Sequence, residues 1–390
     1  MTPPAAGAGG AGFGTDQSGE PAVNPRWDVD ALLADPGTKI VVTCGSGGVG
    51  KTTTAAALAV RAADLGRTVA VLTIDPARRL AQSMGLTDLD NVPRRVELDA
   101  PGELWAMMLD TRRTFDEMVA SHASAERAEQ IFANPFYQTI SSSFSGTQEY
   151  MAMEKLGQLA ATGEFDLIVV DTPPSRSALD FLDAPQRLSS FLDGRMIRLL
   201  ASPGRGVMKL VGAGFNLFAK AVTAVIGGQM LADAARFVQL FEDMFGGFRQ
   251  RAEATYTLLR DAGSAFVVVA TCEADALREA SYFADRLVSE TMPLAGLVLN
   301  RTHPPRTALP AAAAEAALDR SPAGGKAGTL ATAALRIHAD RLAIRAQELR
   351  MRARFDRAHP EIGVVEVPAE PTDVHDLSGL RAIGATLAAT

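Results

Sequence analysis

Residues 41–60 read VVTCGSGGVGKTTTAAALAV: a β-branched run, a glycine-rich turn, then an alanine-rich helical pattern. Two phosphate-binding fingerprints fit this stretch at once. Gly45-Ser46-Gly47-Gly48-Val49-Gly50 satisfies the dinucleotide turn G-x-G-x-x-G, and Gly45 through Thr52 satisfies the P-loop G-x-x-x-x-G-K-[ST]. Three features decide for the P-loop. Lys51 and Thr52 follow the third glycine directly, where a P-loop needs an ammonium for the β- and γ-phosphates and a hydroxyl for Mg²⁺. Asp75 closes the run TVAVLTID, where a dinucleotide fold would use it on a ribose, but PARRL follows it, a rigid turn with two arginines that suits a phosphate-sensing switch. A second aspartate, Asp171, ends the buried-strand pattern FDLIVVD, the place of a Walker-B aspartate beside the metal.

The residues therefore spell a nucleoside triphosphate site. Backbone N–H groups of Gly47 to Thr52 point into the loop, and the helix N-terminus at Lys51 adds positive potential for the phosphates. Lys51 neutralises charge on the transferred phosphate, Thr52 binds Mg²⁺, and Asp171 orients the water shell of the metal. Asp75 is the candidate that positions the attacking water; its alternative is a turn aspartate before proline. The nucleotide-binding loop expected from this reading is Gly45, Ser46, Gly47, Gly48, Val49, Gly50, Lys51, Thr52 and Thr53.

Around that loop, β-branched runs alternate with helical segments: strands are expected at 39–43, 68–73, 104–109, 166–171, 265–271, 294–300 and 362–367. That alternation predicts an α/β fold with a doubly wound, mostly parallel sheet. Nothing between 111–164 or 176–262 reads as a strand, and apolar residues there recur at helical spacing, so an inserted helical subdomain is expected. Residues 1–36 read as a disordered Gly-, Ala- and Pro-rich tail with no signal-peptide features, 37–390 as the P-loop domain, and 303–327 as a flexible loop before an Arg-rich helix near 328–357. Two readings of those arginines stay open, a solvated helix face and a surface for an acidic partner. A hydrophobic share of 47% and a net charge of −7 fit a soluble protein without a nucleic-acid surface. Cys44 and Cys272 are the chain's two cysteines, which excludes a disulfide framework or a cysteine-rich zinc clasp and fits a cytoplasmic, reducing compartment. The most apolar stretch, 209–232, is interrupted by Asn216 and Lys220 and falls short of a membrane span.

With these residues together, the chain resembles the ArsA/Get family, the arsenite-pump and tail-anchored-protein-targeting ATPases of the MinD-like P-loop class. SGGVGKTTTAAALA matches the deviant P-loop, IDPARRLAQSMG the switch I motif, and AMMLD (106–110) the strand that follows. VVDTPPSRSALDFLDAP (169–185) falls at switch II, and VVEVPAEPTDV (364–374) at the adenine-side loop. The resemblance implies ATP and Mg²⁺ as ligands, Asp75 as water-activating residue, Asn300 and Pro368 as adenine contacts, and Glu273 at the dimer and nucleotide face. It also implies a dimer and a hydrophobic or membrane-associated client carried by the helical subdomain.

The departures from the family pattern shape the functional reading. Ser46 stands where the family carries a lysine that crosses to the partner's phosphates, and Ser175-Arg176-Ser177 replaces the T-G-H of switch II. The clasping cysteine pair and the arsenite-site cysteines are missing. Three arrangements fit Ser46: a heterodimer whose related subunit keeps the lysine, a homodimer in which Arg78, Arg79 or Arg176 substitutes, or a site that binds ATP as a regulatory or assembly ligand with little turnover. Met196, Met208, Met230 and Met244, with Phe215, Phe218, Phe237, Phe241 and Phe245, form either a client groove or simply the core of the helical subdomain.

Overall fold

The computed structural model describes residues 25, 27–75, 79–143, 147–173, 228–320 and 325–389. Its strands are β1 (Ile40–Cys44), β2 (Thr68–Thr73), β3 (Arg94–Val96), β4 (Glu103–Met108), β5 (Leu167–Asp171), β6 (Ser264–Thr271), β7 (Leu294–Thr302) and β8 (Val364–Pro368). They form one eight-stranded sheet in the order β3-β4-β2-β5-β1-β6-β7-β8. Every pairing is parallel except β3 with β4. The expected doubly wound sheet is what forms, and all seven expected strands are present within a residue or two. The short edge strand β3 was not expected. Two of its three residues are exposed, so it carries no apolar period to read.

Helices cover both faces, which is why β1, β5 and β6 are buried along their whole length. Alternation along β1 sends Val41 to one face and Ile40 and Val42 to the other. On the Val41 face lies α2 (Lys51–Asp64), whose Ala55, Ala56, Ala57, Ala59, Ala62 and Ala63 are fully buried. Small side chains let the last helix, α12 (Leu377–Ala388), come close: a Cβ on Gly384 would sit 3.0 Å from the Ala57 carbonyl oxygen.

The opposite face carries the helical layer. The described parts are α4 (Thr111–His122), α5 (Ala125–Phe132), α6 (Pro135–Ser143), α7 (Thr147–Thr162) and α8 (Gly228–Arg260), joined on that face by α9 (Ala274–Ser289). Their shared core is aromatic: Phe237 lies 4.5 Å from Phe241 between ring centroids, and Phe241 stacks on Phe248 at 5.4 Å. Phe237, Phe241 and Met244 are buried there as core residues. Met196, Met208, Phe215 and Phe218, with the switch II residues Ser175, Arg176 and Ser177 and with Arg78, lie outside the described residues, as do the side chains of Arg79, Met230 and Phe245.

Three expectations change. The stretch 1–36, read as a tail, contains the helix α1 (Val29–Ala34), capped by the Asp28 carboxylate, with Trp27, Val29 and Leu33 buried. Trp27 lies so close over Gly296 that a Cβ there would meet its ring at 2.6 Å. Within 303–327, read as a loop, α10 (Ala311–Arg320) forms, because an alanine run favours helix and Ala314 is buried. The Arg-rich helix α11 (Gly325–Ala358) is divided between inward and outward arginines. Arg345 and Arg352 reach Glu366 on β8 at 2.8 and 2.5 Å, while Arg336, Arg350, Arg354 and Arg357 are exposed. Burial pushes the Glu366 carboxyl up, but the two guanidiniums outweigh it and hold it below its ordinary range. One further helix, α3 (Arg79–Ser83), follows Asp75.

Arg67, buried between α2 and β2, donates to four carbonyl oxygens, those of Leu33, Asp35, Thr38 and Asp166. It thereby ties α1 and the approaches to β1 and β5 together. Arg67→Met strands those carbonyls, and a loss of about 3 kcal/mol is expected in urea unfolding, since bonds to a charged donor contribute roughly 1.5–3 kcal/mol and lost partners are costly.

Candidate functional site

Parallel strands end on the same side of the sheet, and the chain reverses its direction of winding around β1, which lies between β5 and β6. Such a switch point leaves a crevice beyond the strand ends. Residues 45–50 fill it because the backbone there is one that glycine adopts. Gly45 has φ +148°, and a Cβ on it would lie 2.1 Å from the Val269 carbonyl oxygen. Gly50 has φ +97°, and its Cβ would fall 2.2 Å from Nδ2 of Asn300. Gly50 caps α2 without a side chain, so the first-turn N–H groups face an open loop.

Lys51, the first residue of α2, folds back so that Nζ donates to the Ser46 carbonyl oxygen at 2.9 Å. Burial lowers its pKa, against the pull of Asp171, Cys44, Asp75 and Glu279. Beneath it, strand register places Asp171 level with Thr43 on β1 and Thr73 on β2. Thr52 Oγ1 donates to Asp171 Oδ2 at 2.7 Å, and Thr73 Oγ1 donates to the same oxygen at 2.9 Å. The carboxyl is fully buried, and its Oδ1 has no hydrogen-bond partner among the described residues. Burial pushes the pKa of Asp171 up to about 6, although both hydroxyls and Lys51 pull it down.

That orphaned oxygen, with a threonine hydroxyl beside it, suits a hard divalent cation that keeps most of its water. Mg²⁺ binds in this way through one or two protein oxygens and substrate phosphates. No group of three or more His, Cys, Asp or Glu side chains gathers as a metal cage among the described residues, and such a Mg²⁺ site does not need one.

A cleft of about 610 Å³ opens over the loop, lined among others by Gly48, Gly50, Lys51, Thr52, Thr53, Asp75, Asn300 and Pro368. Its size is that of an ordinary small-molecule site. Gly45, Ser46, Gly47 and Val49 are not among the lining residues, and Asp171 bonds to Thr52. Glu273, expected at the dimer and nucleotide face, is exposed at the start of α9 and is not among the residues lining the cleft. Asn300 Nδ2 donates to the Val49 carbonyl oxygen at 2.8 Å, and its Oδ1 accepts from the Arg301 N–H at 2.9 Å, which supports Arg301 at φ +58°. Sequence reasoning missed Thr73, Thr172, Arg301, Asp373 and His375. Thr73 reaches Asp171 because β2 pairs with β5 in that register, a neighbour relation that no local motif announces. Arg301 lies near the end of β7, just beyond Asn300, and Thr172, Asp373 and His375 sit outside the regular elements, where no periodic signal marks them.

Residues 38–316 match the family model described as anion-transporting ATPase. The chain belongs to this family. It is similar to the ATPase GET3 of Malassezia globosa, 30% identical over 162 residues, 41% of this chain and 46% of that protein. It is also similar to the ATPase GET3 of Podospora anserina, 29% identical over 47% of this chain and 54% of that protein, and to the Schizosaccharomyces pombe ATPase get3, 30% identical over 42% and 48%. The alignments span about half the length of these relatives. Family membership and the P-loop geometry agree with the resemblance read from the motifs, and no described helix is long and apolar enough to cross a membrane.

The raised pKa of Asp171 sets a pH dependence for the ligand-free protein. Its folded value of about 6 lies above the ordinary carboxylate value, so burying the ionised form costs stability. By linkage the cost is absent below about pH 4, grows as pH rises toward 6, and is full at pH 7. Without nucleotide, Asp171→Asn is therefore expected to raise stability at pH 7 by an amount on the order of 2 kcal/mol. Urea midpoints at pH 7 and pH 4 measure it, and the gain should vanish at pH 4.

Proposed function

We propose that this chain binds ATP with Mg²⁺ and hydrolyses its terminal phosphoanhydride. The observation that carries the reading is the convergence of the Lys51 ammonium, the Thr52 hydroxyl and the half-partnered Asp171 carboxylate at one P-loop. Lys51 exchanges its Ser46 carbonyl for the β- and γ-phosphate oxygens, a short move for a side chain already folded over the loop. The α2 N-terminus and the loop N–H groups hold the remaining phosphate charge. Thr52 and Asp171 would hold Mg²⁺, which neutralises developing charge on the phosphates. Asp75, half-buried at the cleft, orients a water and accepts its proton as the water oxygen bonds to the γ-phosphorus and the β–γ bridging oxygen leaves. Asn300 and Pro368 close the cleft on the side proposed for adenine.

Ser46 favours a second reading of the same site. It cannot supply a cation across a dimer interface, and such a cation is worth roughly 10³–10⁵ in rate in related phosphoryl transfer. We infer that the chain pairs with a related subunit that bears the lysine; acting alone it is a slow, nucleotide-binding regulatory subunit. The buried Phe237, Phe241 and Met244 are committed to core packing, so any client would meet other parts of the helical layer.

ATP binding and Mg²⁺-dependent phosphate release test these readings. Lys51→Met is expected to lower turnover about 10³-fold or more through loss of phosphate stabilisation. Absence of ATP binding in the wild type would sink both readings. Ser46→Lys is expected to raise the turnover of the isolated chain by at least about tenfold if the missing cation limits the rate. An unchanged rate would point away from an incomplete symmetric site.

A further inference from the structure

We propose that Gln148 is a positioning residue for Asp75, through which the helical layer sets the placement of the proton acceptor; this rests on the ATPase reading above. Ile74, the residue before Asp75, is held at both of its backbone polar groups. Its N–H donates to the Asp171 carbonyl oxygen at 3.0 Å, which anchors it to β5. Its carbonyl oxygen accepts from Nε2 of Gln148 at 2.7 Å, a bond that comes from the first turn of α7. The Ile74 carbonyl and the Asp75 N–H share one peptide plane, so fixing the direction of that oxygen fixes the plane from which Asp75 departs. On the other side Pro76 restricts the backbone of Asp75. Gln148 thus controls the end of the segment that the proline does not.

The other end of this bond is anchored in the helical layer. From α7, Tyr150 donates to the Phe248 carbonyl oxygen on α8 at 2.9 Å, Glu154 pairs with Arg251 at 3.1 Å, and Lys155 pairs with Glu117 on α4 at 3.4 Å. A shift of α7 relative to the sheet is passed to the Ile74 carbonyl through one short hydrogen bond. Rearrangement at the γ-phosphate is passed back by the same route. A structural glutamine would affect stability; a positioning glutamine affects the chemical step.

The test measures full-chain Mg²⁺-ATP hydrolysis beside nucleotide affinity and melting temperature. Gln148→Met removes the donor at similar length. Its kcat is expected to fall about 10- to 100-fold, the scale of a small misplacement, with ATP affinity within about twofold of wild type. A wild-type kcat would overturn the proposal, as would an equal loss of affinity and rate. If Gln148→Met does not fold, Gln148→Glu, which keeps the shape but only accepts, takes its place; failure of both to fold would overturn the proposal in favour of a structural role. Wild type compared with Lys51→Met separates the two claims. No difference between them removes the ATPase reading itself, while a clear difference with unaffected Gln148 variants removes only the positioning role.

Discussion

A carboxylate at the centre of a parallel sheet is costly to keep, and Asp171 is kept there fully buried. Two hydroxyls, from Thr52 and Thr73, satisfy one of its oxygens, and the other has no partner among the described residues. This arrangement requires β5 to lie between β1 and β2 in register, because Thr73 reaches Asp171 only when the two residues are level. On the other side, the first turn of α2 supplies Thr52, the second hydroxyl. The order of the strands, the glycine turn and the first turn of α2 are therefore parts of one electrostatic solution. Burial outweighs the two hydroxyls and Lys51, and the pKa of Asp171 stays raised.

From this centre, connections run outward in two directions. Toward β7 and β8, Asn300 ties the strand end to the loop through the Val49 carbonyl, and Glu366 on β8 pairs with Arg345 and Arg352 of α11. Through Arg345 and Arg352 the long basic helix is in this way clamped to β8, whose last residue, Pro368, lines the cleft. Toward the helical layer, Ile74 joins Asp171 on one side and Gln148 on the other. A site whose chemistry changes charge at the phosphates can thus shift packed elements at some distance, since those elements share its hydrogen bonds.

Much of this was legible in one dimension. The seven strands of the parallel frame announce themselves as buried β-branched runs, and the P-loop announces itself through glycines whose backbone angles other residues avoid. The legible site residues are those within the local motif or at a strand end: Lys51, Thr52, Asp75 and Asp171. Legibility failed where structure depends on distant partners. β3 exists because it pairs with β4, α1 because Trp27 and Leu33 find cover, and α10 because it packs on α11.

The sequence by itself determined the phosphate loop, its lysine and hydroxyl, and the mostly parallel sheet, because each is a local matter of residue type and spacing. Only the tertiary structure decided that Thr52 and Thr73 share one oxygen of Asp171, that Asn300 closes on Val49, and that Gln148 bonds to the peptide before Asp75. Those bonds join residues 74 to 251 positions apart, and which donor meets which acceptor at that range is fixed by the strand order and the packing of helices on the sheet.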